Sequence, residues 1–267
     1  MSGAIALVGS GEFTPALESL DRELLAATGQ RRPRVVILPA TAGDGIASAV
    51  RWAEMGRQHF TALGAEVEPL VIRSRKDADD GVNARAVGEA DLVYLVGDPA
   101  EFVCRTLDGS AVEAALRESI GRGAVIAGCA SGAIALGEHR LRARRRLIWP
   151  FGIRPALGIV PGVAVMPRYD ARPEVLNLLF ILRAPKGCAV LGIDRETAVV
   201  GSGSTWQVQG AGRVTVWRGR RRTRHRDGDV IRLQPSASRK ERRRIWLPWR
   251  RRASAPRSDR LDGPEAV

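Results

Sequence analysis

The sequence predicts an α/β domain built on a mainly parallel sheet sandwiched by helices, with a short antiparallel extension at its C-terminal end. Short apolar runs alternate with longer amphipathic stretches, the pattern of repeated strand-helix units. Residues 124–138 read as a buried strand, a glycine-bounded turn and a helix. After Asp194 the pattern changes to short strands separated by turn residues.

Taken in order, strands are expected at residues 4–8, 34–38, 66–72, 91–96, 124–127 and 190–193. Residues 15–27 carry leucines at helical spacing with Thr14 as N-cap, and residues 46–63 form a longer helix ending before Gly64. Further helices are expected at residues 112–120 and 174–182. Strands near Ala198, Trp206, Val214 and Val230 follow, the last two joined by a polar turn containing Asp227 and Gly228. Residues 1–233 are therefore expected to form one domain. Residues 234–267, rich in Arg, Ser, Pro and Ala, are expected to be a disordered basic tail.

The chain has 267 residues, 45% of them apolar, enough for one large core or two small ones, and no linker divides it before the tail. No apolar run approaches the length of a membrane span, and the N-terminus lacks a signal-peptide pattern, so a cytoplasmic protein is expected. The three cysteines, Cys104, Cys129 and Cys188, are widely spaced and read as small buried hydrophobes, with neither a disulfide framework nor a zinc cluster indicated. Neither metal nor cofactor is expected.

The net charge of +13 is local in origin. Residues 1–212 carry 24 basic and 23 acidic side chains, whereas residues 213–267 carry 18 and 6. Within the tail, residues 239–252 set Ile245, Trp246, Leu247 and Trp249 between two arginine clusters, a composition suited to an anionic membrane surface or to nucleic acid. A solvated tail with no specific partner has the same composition.

The segment Gly128-Cys129-Ala130-Ser131-Gly132 has the glycine spacing of a nucleophile elbow, in which a serine would occupy the middle position. Here that position is Ala130, whose methyl group has no nucleophilic atom. Cys129 and Ser131 flank it, but adjacent residues of a turn project in different directions. A plain strand-to-helix connection uses the same spacing.

Several separated segments together resemble the serine peptidases that include cyanophycinase and α-aspartyl dipeptidase (dipeptidase E). They are VGSGEF at 8–13, VILPATA at 36–42, LVGDP at 95–99, the elbow itself, GIVPG at 158–162, MPRYD at 166–170 and GIDRETA at 192–198. The resemblance spans about residues 4–233 and implies a class I glutamine amidotransferase-like, flavodoxin-like fold, with hydrolysis of Asp-containing peptide bonds as the family activity. It also marks the departures. In the family the elbow serine precedes an alanine, an order transposed here as Ala130-Ser131, and the position of the catalytic histidine is Arg168. Between His139 and Tyr169, where an orienting carboxylate would be expected, there is no Asp or Glu but Arg140, Arg142, Arg144, Arg145 and Arg146.

What the resemblance leaves is a ligand site. Gly11, Glu12, Thr41, Gly97, Asp98, Gly128 and Arg168 are expected to converge at the C-terminal ends of the strands, with backbone N–H groups around Gly97, Gly128 and Ser131 as an oxyanion-hole-like nest. Local readings exist for each: turn glycines, helix-start charges at Glu12 and Asp98, a cap at Thr41. His59 reads as a helix-surface residue and His139 as a cation closing the helix after the elbow. Three functions follow: a peptidase-fold protein without hydrolysis that holds a small anionic or acidic peptide-like ligand, an active hydrolase using Ser131 or Cys129, or a docking module acting through residues 239–252.

Overall fold

A computed structural model describes residues 3–41, 46–142, 152–171 and 173–234. The first five strands are β1 (Ile5–Val8), β2 (Arg34–Thr41), β3 (Glu66–Pro69), β4 (Leu92–Asp98) and β5 (Val125–Cys129). They pair in parallel in the order β3-β2-β4-β5-β1. Their near-continuous apolar sequences reflect burial on both faces. Ile5 and Leu7 enter one core while Ala6 and Val8 enter the other, and Val93 and Leu95 alternate with Leu92, Tyr94 and Val96 in the same way.

Helices cover both faces. On one side lie α1 (Glu18–Ala27) and α2 (Ile46–Ala62), which bury Leu20, Leu24 and Phe60. The first helix begins later than expected because Pro15–Leu17 winds as a 3-10 turn. Thr14 stands at the N-cap position of that turn, as expected, but its side chain makes no capping bond and its hydroxyl donates to the Gly11 carbonyl at 2.7 Å. On the other side lie α3 (Arg75–Asp79), α4 (Gly81–Glu89), α5 (Ala100–Leu107), α6 (Ala111–Arg122) and α7 (Ser131–Leu136). Of these only α6 and the helix after the elbow were expected. Yet the caps were present in the sequence: Ser74, Asp80 and Ser110 each accept a first-turn backbone N–H.

The main correction concerns the second half, where a single sheet was expected. β6 (Gly137–Arg142), β7 (Gly152–Pro155), β8 (Val160–Pro167), β9 (Ala189–Ile193), β12 (Val214–Arg218) and β13 (Arg221–His225) form a second sheet, ordered β13-β12-β9-β8-β6-β7. β10 (Thr197–Ser202), β11 (Thr205–Gly210) and β14 (Val230–Arg232) extend the first sheet antiparallel from β1. The antiparallel ending therefore holds, but Val214 and Val230 are not hairpin partners. β12 pairs with β13, and the Asp227-Gly228 turn carries the chain from one sheet to the other.

Inward residues of the second sheet, among them Val163, Val165, Leu191 and Val216, share the core of α5 to α7. Its outer face is closed by α8 (Glu174–Ile181) around Met166, Tyr169 and Trp217. All three cysteines are buried and outside any disulfide. Among the described residues no helix is long and apolar enough to cross a membrane. Residues 235–267, which hold the Arg/Trp segment, lie outside the described residues.

Candidate functional site

Strand register brings the expected residues to one rim. Val8 pairs with Cys129, Leu95 with Gly128, and Thr41 with Asp98, so β1, β5, β4 and β2 end at the same edge. The second sheet meets that edge at Gly9, whose N–H donates to the Thr197 carbonyl and where an added Cβ would lie 2.0 Å from the Asp194 carbonyl oxygen. Pro167 pairs with Ile193, one residue before Asp194, which sets Arg168 at the same junction. Asp170 then ties it down, accepting from the Arg195 N–H at 3.0 Å and its Nε at 2.8 Å.

The turn between β5 and α7 is a built elbow. Ala130 sits at its tip with φ 49° and ψ −110°, its N–H donating to Val8 and its carbonyl accepting from Ile134. A Cβ on Gly132 would lie 2.1 Å from the Leu95 carbonyl oxygen, and one on Gly128 would lie 2.6 Å from Leu136 Cδ1. Only glycine allows helix and strands to close so tightly. The first-turn amides of α7 precede its own hydrogen-bond ladder, as at the start of any helix. Gly97 and Gly128, expected beside them, instead lie within the strand pairings.

A non-glycine residue held at such angles stores about 1–3 kcal/mol. Ala130→Gly is therefore expected to stabilise the protein by about 1 kcal/mol, after the extra entropy of glycine is subtracted, raising the melting temperature by about 2–4 °C. A lower melting temperature would show that the tip is unstrained.

The two residues flanking Ala130 diverge, as adjacent turn residues should. Cys129 faces inward, 1% exposed, and its thiol contacts the Glu12 carboxylate at 3.1 Å. Burial first, then the charge of Glu12, pushes the thiol's pKa well above its ordinary value, which keeps it protonated and poorly nucleophilic. Glu12 thus points toward β5, also accepting from the Gly11 N–H at 3.2 Å, rather than standing as a helix-start charge. Ser131 faces the rim, and its hydroxyl donates to Asp98 Oδ1 at 3.4 Å. Thr41 is a strand-end residue rather than a cap, with its Oγ1 buried and without a hydrogen-bond partner among the described residues.

The histidines depart from expectation. His59 is not a surface residue: its Nε2 lies 2.8 Å from Oδ2 of the fully buried Asp21, and its ring packs against Phe13 and Phe60. The signal was Asp21 itself, a charge among Leu17, Leu20, Leu24 and Leu25 on the apolar stripe of the first helix. His139 does not close a helix, because α7 passes directly into β6 and His139 pairs there with Pro155 and Ala164. Arg168 is exposed and holds φ 51°. Among the described residues no carboxylate pairs with it. Arg140 is largely buried, 3.9 Å from Glu101, whereas Arg144, Arg145, Arg146 and the Arg142 side chain lie outside the described residues.

A parallel sheet that feeds a glycine-bounded, strained turn and then a helix defines a hydrolase-type α/β scaffold with a nucleophile elbow. The chain belongs to peptidase family S51, whose model matches residues 5–209. Among solved structures it is similar to a peptidase from an acI-B1 Actinobacterium, at 26% identity and a TM-score of 0.75, over 87% of this chain and 97% of that one. It is also similar in fold to a putative peptidase E protein from Listeria monocytogenes EGD-e, at 15% identity and a TM-score of 0.53, over 85% and 99% of the two chains. No curated protein matches.

Proposed function

We propose that this S51 member has lost peptide hydrolysis and retains a site for a small anionic or acidic peptide-like ligand, with Arg168 as its central contact. The observation that carries the reading is Ala130 at the elbow tip: the strained turn that aims a nucleophile is intact, and the side chain it aims is a methyl group. Arg168, at the position matching the family's histidine, supports it further. A guanidinium stays protonated and cannot take a proton from a hydroxyl, but it binds carboxylate or phosphate through two parallel hydrogen bonds.

The purified protein is expected to leave β-aspartyl-arginine and Asp-X dipeptides uncleaved while some acidic small molecules raise its melting temperature. A ligand at a hundred times its Kd stabilises by about 2.7 kcal/mol. Arg168→Ala should weaken that ligand's binding at least tenfold without lowering the unliganded melting temperature. Cleavage of either dipeptide class, or a melting temperature unmoved by every acid tested, would overturn the proposal.

One contact favours a second reading, the Ser131 hydroxyl on Asp98, in which Ser131 is an off-tip nucleophile with a carboxylate beside it. A serine-reactive phosphonate separates the two: labelling at Ser131 supports the second reading, and none is expected under the first.

A further inference from the structure

We infer that the β12–β13 hairpin and the adjoining β14 form a docking surface for the phosphate backbone of a nucleic acid, independent of the elbow site. Residues 213–232 contain eight arginines and two aspartates. This local excess stands against the near balance of residues 1–212, so an arginine-rich composition of the whole chain does not account for it.

The fold gathers these arginines. Arg218 and Arg221 are cross-strand partners at the hairpin end, with Gly219 at φ 60° making the turn. Arg218 also donates to the Arg232 carbonyl, which tethers the hairpin of the second sheet to the last strand of the first. Arg222 and Arg224 both pair with Glu174, and Arg213 lies 3.8 Å from Asp194. That leaves Arg218, Arg220, Arg221, Arg226 and Arg232, all exposed, with no carboxylate partner among the described residues.

Arginine on an edge strand also blocks pairing with another sheet, and β13 is such an edge. One or two charges do that. Five uncompensated guanidiniums on three linked segments make instead a field that attracts a polyanion and forks that fit phosphate oxygens. A nucleic acid fits better than an anionic bilayer because the surface offers no apolar wedge. Among the described residues the exposed large apolar ones are Val50, Val82, Val175, Leu182 and Val230, and of these only Val230 belongs to it.

The test uses full-length protein and fluorescence anisotropy with labelled single-stranded and duplex oligonucleotides of random sequence, beside flotation with phosphatidylserine-containing vesicles. Binding to an oligonucleotide should weaken steeply with salt, by about 0.7 to 0.9 logarithmic units per phosphate contact for each decade of salt. Arg220→Glu/Arg221→Glu/Arg226→Glu should weaken it at least tenfold and flatten the salt slope by about two to three. The control Arg31→Glu/Arg32→Glu/Arg51→Glu makes the same charge change at exposed positions elsewhere and should cost less than threefold. Equal losses in the two variants, binding to vesicles but not oligonucleotides, or no salt-dependent binding at all would each overturn the inference. Unchanged melting curves of both variants confirm that the comparison reads binding.

Discussion

His59→Ala is expected to destabilise the protein by about 3 kcal/mol at neutral pH, a fall of about 6–12 °C in melting temperature, by leaving Asp21 buried without its partner. Asp21 is fully buried, its Oδ1 makes no hydrogen bond, and His59 is the one group bonded to its Oδ2 among the described residues. Burial raises the carboxyl's pKa, and the hydrogen bond and charge of His59 pull it back down. A carboxyl whose folded pKa exceeds its unfolded value of about 3.9 contributes stability that is fully present below that value and is lost as pH rises through the folded one. Removing His59 raises the folded value further. The deficit of the variant should therefore widen from about pH 4 to pH 8. Asp21→Asn in the His59→Ala background removes the charge and should recover most of the loss at pH 8. Equal melting temperatures for His59→Ala and the parent at both pH values would show that the contact carries no weight.

The same pair shows what was legible in the sequence. Continuous apolar strands declare themselves because burial on both faces leaves no room for polar residues, and β1, β2, β4 and β5 were all expected within a few positions. Strand ends were missed because Gly97, Asp98 and Gly128 carry turn chemistry while still pairing in the ladder. The second sheet was hidden for a different reason. Gly137–Arg142 and Arg221–His225 are charged sequences of low strand propensity, held by neighbours distant in the chain rather than by their own pattern. At the site, positions were legible and contacts were not. The rim residues follow from strand order, but that Cys129 turns inward to Glu12 while Ser131 turns outward to Asp98 depends on the dihedral angles of the residue between them.

Gly132→Ala is expected to be the most damaging single change at the elbow, about 4 kcal/mol or more, with a fall of at least about 8 °C in melting temperature. The new methyl would stand 2.1 Å from the carbonyl oxygen of Leu95 and 2.8 Å from its carbon, so either α7 or β4 must move. No side-chain rotation relieves a contact with backbone. Gly121→Ala in α6 is the matched control, because nothing lies within 4 Å of its added methyl and alanine favours a helix interior by about 0.5–1 kcal/mol. A Gly132→Ala protein melting within about 2 °C of the parent would mean that the elbow is not held by this contact. The expected outcome explains why the motif persists beside Ala130. The glycines of the elbow meet a packing requirement, the close crossing of β5, β4 and α7, whereas the nucleophile position meets only a chemical one. Packing constrains the turn whether or not a hydroxyl stands at its tip, so the glycine spacing remains readable whatever side chain the tip carries.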